Sequence, residues 1–91
     1  MVTLEELKAH LRIEHEHEDA LLLTYQDAAE QAVRDYTGAD FDDQAPGPVR
    51  AAVLLLVGEL YAHRERSTER PIHLNSTYHA LLNPYRALEV S

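Results

Sequence analysis

Pro48-Val49-Arg50-Ala51-Ala52-Val53-Leu54-Leu55-Leu56-Val57-Gly58-Glu59-Leu60-Tyr61 is the stretch on which the fold turns. Val49, Ala52, Val53, Leu56, Val57, Leu60 and Tyr61 recur at steps of three and four, which places them on one face of an α-helix, and Leu55 adds an apolar residue on the other side. A helix this apolar has to be covered by its neighbours, so it reads as the centre of the fold. Pro48 suits its first turn, where a missing N–H costs nothing. The longest apolar run, residues 51–57, stops at Gly58 and Glu59 and falls far short of the ~18 residues needed to cross a bilayer.

Upstream of it, residues 39–47 have no period and carry Asp40, Asp42 and Asp43 with Pro and Gly, the composition of an acidic connecting loop. Phe41 is the residue expected to pin that loop to the core. Before the loop, Leu21, Tyr25, Ala28, Ala32 and Tyr36 keep helical spacing, with Leu22, Ala29 and Val33 widening the stripe, and Gly38 offers a left-handed cap. The acids Glu14, Glu16, Glu18 and Asp19 stand where that helix begins, favourably placed against the positive end of its dipole. A first short helix over about residues 3–11 is announced by Thr3 with Glu6, a capping box, and by Leu4, Leu7 and Leu11. Downstream, the central helix turns polar from His63, Pro71 forces an extended stretch before it, and Asn75 or Ser76 can cap a last helix with Tyr78, Leu81 and Leu82 that Pro84 closes. Ile72-His73-Leu74 is the only strand candidate. The fold class is therefore all-α: a small bundle of about four helices, two long and two short, with an acidic loop between the long pair.

At 91 residues the chain is expected to form a single helical domain over residues 1–91, with one modest core and little room for a deep active site. The absence of cysteine excludes a disulfide framework, a thiolate zinc site and a thiol nucleophile. Glu5 and Glu6 precede any basic residue, so the pattern of a signal peptide is missing and the protein is expected to act where it is made. A net charge of −8 opposes attraction to phosphate. The charge is unevenly spread: residues 1–43 carry −9 and residues 44–91 carry +1, and seven of the eight basic residues are Arg, which suits interface pairing.

The chemistry-bearing residues form no catalytic constellation. His15 and His17 would point about 200° apart on a helix, so they share a metal only if the segment is extended. The chain has no His-Glu-x-x-His, and its adjacent acids lie in polar runs that would not raise a carboxyl pKa. The serines fall in no nucleophile frame, and the three glycines are too scattered to cradle a phosphate. Five tyrosines against one Phe favour surfaces that couple apolar area to a hydroxyl. Tyr25, Tyr36 and Tyr61 sit on helix stripes and read as core-edge packing. Asn83-Pro84-Tyr85-Arg86 puts a ring beside a fixed cation, a pairing common at interfaces.

Six fragments carry a family resemblance. They are Leu4-Glu5-Glu6-Leu7-Lys8-Ala9-His10-Leu11-Arg12-Ile13, Glu18-Asp19-Ala20-Leu21-Leu22, Asp35-Tyr36-Thr37-Gly38, Pro48-Val49-Arg50-Ala51-Ala52-Val53-Leu54-Leu55-Leu56-Val57, Leu60-Tyr61-Ala62-His63-Arg64-Glu65 and Leu81-Leu82-Asn83-Pro84-Tyr85-Arg86. In this order they resemble the head-tail connector family of long-tailed bacteriophages and prophages, also labelled possible DNA-packaging proteins, over about residues 4–86. The resemblance implies a structural subunit of a ring, commonly twelve-fold, that docks beneath the portal after DNA packaging and carries the channel toward the tail. It implies no catalytic residue and no cofactor. The chain departs from the pattern between Glu65 and Asn75, so contact residues do not transfer there position by position.

A ring needs two different complementary faces on one subunit, which the uneven charge supplies. The residues expected at a subunit or portal interface are Asp40, Asp42, Asp43, Arg64, Arg66, Arg70, Tyr85 and Arg86, with no catalytic, cofactor or metal residue. Expected partners are further copies of the chain, the portal protein and another neck or tail-completion protein. DNA is expected to pass without sequence-specific binding, because a carboxylate-rich wall repels phosphate. The expected location is the virion neck, with the host cytoplasm during assembly. Two rivals are a helical regulatory or antitoxin-like dimer acting through an acidic protein-binding surface, and a small metal enzyme using His15 and His17.

Overall fold

The computed structural model describes residues 1–41, 44–66 and 76–86. Four helices follow one another: α1, Leu4–Leu11; α2, Asp19–Thr37; α3, Gly47–Arg66; and α4, Ser76–Leu82, which runs into a 3-10 turn, Asn83–Tyr85. Two are long and two short, and no strand occurs among the described residues, so the all-α expectation holds. Ile72-His73-Leu74 lies outside the described residues.

The helix ends follow from local chemistry. Thr3 Oγ1 accepts the Glu6 N–H at 3.1 Å while the Glu6 carboxylate accepts the Thr3 N–H at 2.9 Å, the reciprocal capping box that starts α1. Arg12 closes α1 in the left-handed conformation, φ 59°, with its N–H on the Lys8 and Ala9 carbonyls. Gly38 closes α2 at φ 73°, its N–H donating to Arg34 O at 2.8 Å, the geometry glycine adopts without strain. Pro48 falls in the first turn of α3, and the first α3 bond runs from Arg50 N–H to Pro46 O. Pro84 lies inside the 3-10 turn that ends α4.

α3 packs against each of the other three helices. It gives Val49, Ala52, Val53, Leu56 and Val57 to the core, where they meet Leu7 of α1, Ala29 and Val33 of α2, and Tyr78 and Leu82 of α4. On α2 the fully buried line is Leu22, Ala29, Val33 and Thr37, with Tyr25, Ala32 and Tyr36 at the margin and Ala28 exposed. That is a correction to the stripe centred on Leu21, Tyr25 and Ala28. The small side chain of Ala29 belongs to the buried line, and α2 is turned so that this line enters the core. Thr37, buried at the end of α2, satisfies its hydroxyl by donating to Val33 O at 2.8 Å. Phe41 packs on the core as expected.

Candidate interaction surface

At one side of the bundle the first residues are woven into the helices. Met1 and Val2 are buried. The terminal ammonium lies 3.2 Å from Glu30 Oε2, Val2 N–H donates to the same oxygen, and Gln26 Nε2 donates to Val2 O. Arg50 of α3 donates to Met1 O at 3.2 Å and pairs with Glu6 of α1. Burial pushes the Glu30 pKa up, but the bonds from Gln26, the ammonium and Val2 N–H outweigh it, and the carboxyl is held below its ordinary range.

A second polar junction fastens the far end of the chain to α2. The Tyr36 hydroxyl donates to Asn83 Oδ1 at 2.6 Å, and the Arg86 guanidinium sits 4.9 Å over the Tyr36 ring. His79 stands 5.2 Å from both Tyr36 and Tyr78, and Phe41 meets Tyr85 edge to face at 6.3 Å. Tyr78 is 3 % exposed, and burial, with the Tyr36 charge second, raises its phenol pKa.

Most described cations are committed within the chain. Lys8 Nζ lies 2.8 Å from Asp19, Arg50 faces Glu6, and Arg34 lies between Glu30 at 3.6 Å and Asp40 at 3.1 Å, the latter an ion pair without hydrogen-bond alignment. The outward face of α2 is left with Ala20, Leu23, Thr24, Asp27, Ala28, Gln31 and Asp35, all exposed. Leu23 is 51 % exposed, and Asp27 and Asp35 pair with no cation among the described residues.

The segment between α1 and α2 is not helical at His15 and His17, and their rings stack with centroids 5.0 Å apart. Glu18, 3.9 Å from His15 Nε2, accepts the Tyr61 hydroxyl at 2.9 Å. Among the described residues no group of three or more His, Asp or Glu side chains is placed to hold a metal ion.

The sequence matches, over residues 1–86, the family described as phage gp6-like head-tail connector protein. The chain belongs to that family. Its backbone is also similar to the crystal structure of bacteriophage HK97 gp6, with a TM-score of 0.80 at 21% identity, over 94% of this chain and 93% of that one, a likeness of fold. No curated protein matches. Head-tail connectors are structural rather than enzymatic, and membership implies a place in the virion neck with partners from head and tail assembly. No described helix is long and apolar enough to cross a membrane.

In this connector the sequence-derived interface residues fall in three places. Asp40 is on the loop after α2, 91 % exposed yet drawn toward Arg34. Arg64 and Arg66 are on the last turn of α3, the end that Tyr61 ties to the start of α2. Tyr85 and Arg86 form the terminal corner with Tyr36 and Asn83. Asp42, Asp43 and Arg70 lie outside the described residues. Glu30, Gln26 and Arg50, which hold the N-terminal segment, carry no sequence signal that sets them apart: Gln26 and Glu30 are two of many polar residues on α2, and Arg50 is a polar residue in the first turns of the apolar α3.

Proposed function

We propose that residues 1–91 form one connector domain that assembles as a homo-oligomeric ring beneath the portal, extends the DNA channel and helps join head to tail after packaging. Twelve copies is the number expected in the particle. The portal protein lies on one side and another neck or tail-completion protein on the other, with assembly taking place in the host cytoplasm. The observation that carries this reading is the family match over residues 1–86, which spans all four helices.

The charge arrangement supports it. Lys8, Arg34 and Arg50 are spent on carboxylates of their own chain, while Asp27 and Asp35 remain outside. Arg64, Arg66 or Arg70 of one subunit then lies against the start of α2 or against Asp40, Asp42 and Asp43 of its neighbour, and Tyr85 and Arg86 belong to a subunit or portal contact. Carboxylates that stay uncovered on the channel wall let duplex slide without sequence-specific binding. Reversing Arg66 and Arg70 to Glu weakens ring formation in light scattering at low salt; unchanged assembly removes that contact. Tight duplex binding by the isolated ring at physiological salt would remove the sliding-channel reading.

A further inference from the structure

We propose that the outward face of α2 is the docking surface for the Asn83–Tyr85 turn and Arg86 of a second copy of this chain, an inference that rests on the ring reading and adds a further contact to its Arg64, Arg66 or Arg70 pairing. Leu23 is the large hydrophobic side chain left exposed among the described residues, and Ala20, Thr24 and Ala28 leave room around it. Asp27 and Asp35 stand about 12 Å apart along the same face at 1.5 Å of rise per residue. Two such faces brought together about a two-fold axis would oppose four carboxylates, so the face rejects its own copy and selects a basic occupant.

The terminal corner is that occupant. Asn83, Pro84 and Arg86 are exposed, and Arg86 faces no carboxylate among the described residues. Its guanidinium is held over Tyr36, Asn83 is bonded to the Tyr36 hydroxyl, and Tyr85 is braced by Phe41. A corner already ordered loses little entropy on binding, and Tyr and Arg are the side chains that most often dominate interfaces. Arg86 lies over Tyr36 in the last turn of α2, whereas Leu23 and Asp27 stand more than two turns nearer its start. Each subunit can therefore give its corner to one neighbour and its face to another, the head-to-tail contact that closes rings.

Sedimentation of the full chain at low salt, with portal protein added if the wild type requires it, tests the contact. The Asp27→Lys/Asp35→Lys variant and the Arg86→Glu variant should each associate about tenfold or more weakly than wild type. An equimolar mixture of these two, in which the Lys face also meets the reversed corner with opposite charge, should recover association, and a mixture of Asp27→Asn/Asp35→Asn with Arg86→Gln should form 1:1 dimers and stop, because each retains one intact surface. Asp27→Asn/Asp35→Asn and Arg86→Gln, which remove charge without reversing it, should shift association the same way and serve if a reversal fails to fold by circular dichroism. Wild-type assembly matched by all the variants overturns the contact and leaves the ring reading standing. A wild type that stays monomeric with and without portal protein overturns both.

Discussion

Tyr36 and Asn83 are 47 residues apart in sequence and joined by a 2.6 Å hydrogen bond from the phenol to the amide oxygen, which fastens the end of α4 to the last turn of α2. Tyr36→Phe keeps the ring beneath Arg86 but deletes that bond. It should cost about 1 kcal/mol in urea unfolding, Asn83→Ala should cost a similar amount, and the double variant less than the sum. Additive losses would mean that the two side chains do not act as a pair.

Glu30 gives the connector an acid-sensitive anchor. Its folded pKa lies below the unfolded value of 4.5, so its contribution is present above that value and is lost as pH falls through the folded pKa. Glu6 shifts in the same direction, first through the Thr3 backbone hydrogen bond, against burial, and then through the Arg50 charge. Thermal melts from about pH 6 down to about pH 3 should show a steep loss of stability in the wild type and a shallower one in Glu30→Gln, which starts lower. Parallel curves would contradict the assignment.

Leu82 and Leu23 offer a contrast between packing and surface. Leu82 is fully buried where α4 meets the core, so Leu82→Ala should cost about 2–5 kcal/mol of a total near ~5–13 kcal/mol. Leu23→Ala, at an exposed position, should change unfolding by about 0.5 kcal/mol or less while weakening association.

The two left-handed caps predict opposite signs. Gly38→Ala forces a β-carbon into φ 73° and should destabilise by about 1 kcal/mol; Arg12→Gly relieves φ 59° and should stabilise by about 0.5 kcal/mol. Chemical unfolding of both variants checks the pair.

What was legible in the sequence was local. Thr3 with Glu6 announced the α1 cap, Gly38 the end of α2, and the spacing of Val49, Val53, Leu56 and Val57 the buried face of α3. What was not legible depends on partners distant in sequence. Met1 reaches Glu30 across 29 positions, Arg50 reaches Glu6 across 44, and Tyr36 reaches Asn83 across 47, and no periodicity encodes such pairs. The same holds for the surface. An Arg counted as available for a neighbour can be consumed at home, as Arg50 is, and only the folded chain separates it from Arg86, which no described carboxylate meets.

Cryo-electron microscopy of the neck in particles made with and without this chain tests the assignment most directly. A closed ring of its copies in head-to-tail contact beneath the portal is expected, with particles lacking it losing DNA or failing to take tails. A two-fold dimer joined through one self-matching patch, with no density at the portal vertex and particles indifferent to its loss, would contradict it.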